Sequence, residues 1–119
     1  MGKYLTALIN LPGFYNPDSE GKRLKVEEDK FENTATEISL KFGGGCWHPG
    51  KTGIWWDKGV RYVDPEMRIF EVDIPDTEAD KSWLVNYIRD SLLSRFKQET
   101  IYLKIVPTVV EIYEIRIAK

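Results

Sequence analysis

Histidine and cysteine are almost absent: the chain has one of each, His48 and Cys46. A single cysteine excludes an internal disulfide. One histidine with one cysteine is also a poor start for a metal centre, so neither a metal nor a cofactor is expected. Charge of one sign is lacking as well. Seventeen Lys and Arg against nineteen Asp and Glu leave a net charge of −2, which excludes the basic field that DNA, RNA or an anionic membrane surface would need. No apolar run approaches the ~20 residues that span a bilayer. The opening residues, Tyr4 to Leu11, alternate like a strand and do not read as a secretion signal, so the expected location is the cytoplasm. Repeats, linkers and low-complexity segments are missing too, and residues 1–119 read as a single domain.

What the chain does have is a concentration of unlike residues between Phe42 and Glu66. Six of the nine glycines and three of the four tryptophans fall there, with both Cys46 and His48. Glycine costs order and an exposed tryptophan costs free energy, so mixing them is unusual for a mere connector. The segment reads as a loop and hairpin that binds something.

Around it the patterning is regular. Phe31, Ala35, Ile38 and Phe42 form one stripe of a helix over 26–42, ended by Gly43-Gly44-Gly45. Cys46 to His48 reads as a short edge strand stopped by Pro49-Gly50. Thr52 to Trp56 is a second strand, Asp57-Lys58-Gly59 a tight turn, and Val60 to Val63 the return, broken by Asp64-Pro65. Arg68 to Ile74 alternates as a strand. Leu84, Ile88, Leu92 and Phe96 mark a helix over 76–99, with Thr77 and Asp80 as its capping box. Strands follow at 101–106 and 109–117. The order predicts an α+β domain of the ferredoxin-like split βαβ plan: a mainly antiparallel sheet with two helices on one face. The other face then has no internal cover, and Tyr102 and Tyr113 on it predict a homo-oligomer.

The helix ending in Phe42-Gly43-Gly44, then Gly53-x-Trp55, then Phe96-x-Gln98-Glu99 before the last strands, resembles small bacterial and phage domains. That resemblance covers roughly residues 30–106. It implies a ferredoxin-like fold and brings no activity with it.

Three kinds of chemistry compete for the glycine-tryptophan segment. Gly45-Cys-Trp-His-Pro-Gly50-Lys51-Thr52 matches G-x-x-x-x-G-K-[ST] letter for letter. A true phosphate loop needs a buried strand before it and a helix after it, and neither is predicted here. The leading reading is a binding module: Trp47, His48, Lys51, Trp55, Trp56, Arg61 and Tyr62 would hold a small polar or nucleotide-like ligand, as in a phage or bacterial protein that sequesters a nucleotide signal. Trp55 and Trp56 point to opposite faces of a strand, so one is core and one is site. The second reading is a small enzyme acting through His48 or a carboxylate. Cys46 is near enough to serve as a nucleophile, but no orienting carboxylate is identifiable, so no catalytic residue is assigned and the balance falls against an enzyme. The third is a protein–protein interaction domain anchored by the tryptophans.

Overall fold

The computed structural model describes residues 3–108 and residue 115. The strand expected over 109–117, with Tyr113, lies almost wholly outside the described residues. The elements are β1 (Tyr4–Leu11), α1 (Glu28–Phe42), β2 (Cys46–Asp57), β3 (Val60–Pro75), α2 (Glu78–Tyr87), a wide π-type turn (Ile88–Leu92), α3 (Leu93–Arg95) and β4 (Leu103–Thr108). The sheet runs β2-β3-β1-β4, and every neighbouring pair is antiparallel. This is the ferredoxin-like split βαβ plan, with both helical segments on one face.

Period-two alternation decides which side chains meet those helices. Leu5, Ala7, Ile9 and Leu11 on β1 and Phe70, Val72 and Ile74 on β3 are buried. Phe31 and Ile38 of α1 pack onto them, with Leu84, Ile88, Leu92 and Phe96 from the second helical segment. Both helical stripes are therefore core. The α1 helix stops at Gly43, whose φ of 92° is the left-handed cap geometry that glycine adopts without penalty. At the start of α2, the Thr77 hydroxyl accepts from the Asp80 amide at 3.0 Å, which is the expected cap. The π-type turn has no mark in the sequence, and the helical segment ends at Arg95 rather than Glu99.

A charged brace joins the two helical segments. The Tyr87 hydroxyl donates to Glu37 Oε1 at 2.5 Å, and Arg95 donates to Glu37 Oε2 at 3.1 Å and to Thr34 Oγ1 at 2.9 Å. Burial and the Glu37 carboxylate push the Tyr87 phenol well above its usual range. At Glu37 burial works to raise the carboxyl, but the hydrogen bonds from Tyr87 and Arg95 outweigh it and hold it below the usual value.

The hairpin differs most from expectation. β2 and β3 do not stop at Pro49-Gly50 or at Asp64-Pro65; they run on as strands of twelve and sixteen residues. The register shows why. His48 pairs with Ile69 and Lys51 with Met67, so Pro49 and Gly50 together face Arg68; Lys51 pairs with Met67 and Gly53 with Asp64, so Thr52 alone faces Pro65 and Glu66. Two opposed bulges absorb the prolines at positions that need no ladder amide. Within β3 only Arg68 to Pro75 pairs with β1, so the hairpin beyond that point leaves the sheet as a two-stranded arm. Its tip is a two-residue turn with positive φ at Lys58 and Gly59, the twist that matches paired strands. The molecule is elongated, 60 Å along its long axis against 32 and 22 Å.

Candidate functional site

The arm and the sheet end of the hairpin divide the expected site residues between them. Trp47 belongs to the body: its ring centroid lies 4.8 Å from that of Phe70 and 5.8 Å from that of Phe31. It is a packing residue beside the core. Trp55 and Tyr62 are cross-strand partners on the arm, stacked at 5.7 Å with 13° between planes. Trp56, expected to take the opposite role to Trp55, is exposed like it. Neither is core.

The two cations do not converge. Lys51 pairs with Met67 and Arg61 with Trp56. That separates them by five positions along the arm, about 16 Å at the rise of a strand. Both are exposed. The phosphate-loop letters from Cys46 to Thr52 lie inside β2, with Gly45 just before it and no helix after them, so their amides do not form the cradle that the motif describes.

His48 takes part in a different arrangement. Cys46 pairs with Glu71 and His48 with Ile69 on the helix-free face of the sheet. His48 Nε2 lies 3.1 Å from Glu71 Oε1 and 4.0 Å from Cys46 Sγ. The three ligand atoms all fall within 4.8 Å of one another. Ligands about 2.0–2.3 Å from a tetrahedral zinc sit roughly 3.3–3.8 Å apart, so the wider of these separations would have to shorten for the set to hold an ion. Glu71 supplies what the sequence alone lacked. It stands 23 residues after His48 and is brought there by strand register, with the appearance of an ordinary surface carboxylate in the sequence.

The same geometry weighs against a nucleophilic triad. In such a triad the nucleophile and the orienting carboxylate hold opposite ring nitrogens of the histidine. Here sulfur and carboxylate both face Nε2. Their atoms converge on a point and do not form a relay.

A second concave region lies under the arm, a groove of about 980 Å³ between the arm, the loop after β1 and the residues before β4. Trp55, Trp56 and Tyr62 line it; Lys51, Arg61 and His48 do not. The loop forming its far wall is pinned. Asp64, wholly buried, accepts at Oδ2 from the Gly13 amide at 2.9 Å and the Phe14 amide at 3.3 Å. Its Oδ1 accepts from the Glu66 amide at 3.0 Å, and Arg23 Nη2 stands 4.0 Å away.

Fold and site together define a small α+β domain of the ferredoxin-like class with an extended β2–β3 hairpin. No protein-family model matches the chain, and neither does any curated protein. Among solved structures it is similar to CutA1 from Oryza sativa, at 12% identity and a TM-score of 0.64 over 92% of this chain and 84% of that one. It is also similar to the divalent cation tolerance protein (Cut A1) from Thermus thermophilus, at 14% identity and a TM-score of 0.63 over 91% of this chain and 86% of that one. At these identities the likeness is one of fold. Among the described residues, no helix is long and apolar enough to cross a membrane.

Proposed function

We propose that this protein is a self-associating small-ligand-binding protein whose ligand at the sheet is a borderline-soft divalent cation, zinc first. The observation that carries the reading is the convergence of Cys46 Sγ, His48 Nε2 and Glu71 Oε1 within 4.8 Å on one sheet face. Thiolate and imidazole select zinc-like ions over magnesium or calcium, and three protein ligands leave a fourth position open. The name of one structural neighbour, a divalent cation tolerance protein, points the same way. The nucleotide-like ligand has less support, because Lys51 and Arg61 stand apart and neither reaches the groove beneath the arm. Self-association is supported by the arm, where Ile54 and Trp56, on one face of the hairpin, are 54% and 68% exposed.

Calorimetric titration with Zn²⁺, and absorption of the Co²⁺ form, test the cation. The expected result is saturable binding with sulfur-to-cobalt charge transfer. Cys46→Ser should abolish that band, and His48→Ala and Glu71→Gln should each weaken binding at least about tenfold, on the scale seen even for supporting residues of metal sites. Unchanged binding in Cys46→Ser, or none in the wild type, refutes the reading.

A further inference from the structure

Cys46 and His48 share a strand, so their spacing follows from the rise of β2 alone. Glu71 reaches them from β3, and its distance depends on how closely the two strands approach at the Cys46–Glu71 pair. One residue before each member of that pair, Gly45 meets Phe70. A Cβ placed on Gly45 would stand 2.7 Å from Phe70 Cε2, nearer still to Cζ, and 3.0 Å from the Glu71 carbonyl oxygen. Atoms not bonded to one another do not ordinarily pack so closely. The ring has no room to step aside: Phe70 is 2% exposed, and Trp47 stands against it at 4.8 Å between centroids. Gly44, just before it in the chain, is the contrast, because a Cβ there meets nothing within 4 Å. Neither glycine has a positive φ, so the backbone conformation demands glycine at neither position. What Gly45 supplies is space.

We infer that Gly45 is a positioning residue of the cation site: its missing side chain lets β2 close on β3, so that Glu71 comes within reach of Cys46 and His48. The inference rests on the cation reading above. Site residues work only when held within about 0.5 Å of the productive geometry, and this set already lies at the wide end for an ion. A methyl group at position 45 would push β2 away from Glu71 while leaving Cys46 and His48 together on their own strand.

The test is a double-mutant cycle. Zn²⁺ affinity is measured by calorimetry for the wild type, Gly44→Ala, Gly45→Ala, Glu71→Gln and the pair Gly45→Ala with Glu71→Gln, and circular dichroism checks that each is folded. Gly44→Ala should bind like the wild type. Gly45→Ala should lose about tenfold, the scale for residues that orient metal ligands. Its Co²⁺ form should keep the sulfur-to-cobalt band, since Cys46 still ligates. The pair should lose no more than Glu71→Gln alone, because Gly45 acts through Glu71. A methyl group that merely loosened the fold would act independently, and the two losses would multiply to about a hundredfold. Multiplied losses, or wild-type affinity in Gly45→Ala, overturn the assignment. If Gly45→Ala does not fold, Phe70→Leu is added to it, which removes both colliding ring atoms and should return the fold and most of the zinc affinity. A combined variant that stays unfolded or weak overturns the assignment as well. A wild type that binds no zinc refutes the cation reading and this inference with it, whereas multiplied losses in a wild type that does bind refute this inference alone.

Discussion

The two halves of one hairpin behave differently. At the sheet end, Phe70, Val72 and Ile74 are buried to 2% exposure or less, while on the arm Ile54, Trp56 and Val60 lie open to solvent. Both stretches carry large apolar side chains. What differs is the neighbour: β1 and the helices cover one half, and within the described residues nothing comparable covers the other. Side-chain type is therefore a poor guide to burial on a strand that outruns its sheet. The contrast separates residues that hold the fold from residues available to something outside it.

The sharpest way to break it is in the body. Phe96 is fully buried and its ring lies 5.4 Å from that of Phe31, joining the two helical segments over the sheet. Phe96→Ala removes a large ring from a closed environment, and the expected cost is about 3–5 kcal/mol of unfolding free energy. Denaturant unfolding measures it. A loss under about 1 kcal/mol would mean that the site collapses freely, and the body would then not be the rigid half.

The second test sits at the border. Asp64 lies where the arm leaves the sheet and ties it to the loop after β1 through the amides of Gly13, Phe14 and Glu66. Asp64→Ala leaves the buried Gly13 amide and the partly buried Phe14 and Glu66 amides without their acceptor, and the expected loss is about 2–3 kcal/mol. Asp64→Asn keeps one acceptor and should cost less. Equal unfolding curves for Asp64→Ala and wild type would show that the loop and arm are held by something other than this carboxylate.

How far the sequence went follows the same division. The stripes through Phe31 and Ile38 and through Leu84, Ile88, Leu92 and Phe96 were legible because helical spacing is local. So were the cap at Gly43 and the turn at Lys58-Gly59, where few residues fit the required φ. The length of the hairpin was not. Pro49 and Pro65 read as strand breakers, and only the paired register shows that each sits in a bulge. The Cys46–His48–Glu71 cluster was half legible: Cys46 and His48 share one strand face, but Glu71 joins them through long-range pairing that no short window contains. Asp64 was read as part of a break for the same reason. Lys51 and Arg61, close in sequence to the aromatics, read as one site, whereas the strand direction carries them about 16 Å apart.

The last test concerns the arm, and its effect on stability is the smallest. Trp56 is 68% exposed and stands opposite Arg61 near the tip of the hairpin. Replacing it removes little buried area, so Trp56→Ala should change the unfolding free energy by no more than about 0.5 kcal/mol. Its effect on assembly should be large. A tryptophan at the centre of an apolar contact commonly contributes about 2 kcal/mol or more to association, a loss of roughly thirtyfold in affinity when it is removed. Light scattering across a concentration series should therefore find the wild type associated, and Trp56→Ala shifted to monomer at concentrations where the wild type stays assembled. Ile54→Ser should act in the same direction with a smaller shift, since less apolar surface is lost. If the wild type is monomeric at high micromolar concentration, the arm's apolar surface does not serve self-association. If instead Trp56→Ala assembles normally but melts several degrees lower, Trp56 supports the hairpin itself, and the division between a body that holds the fold and an arm that meets a partner fails at the residue where it is drawn most clearly.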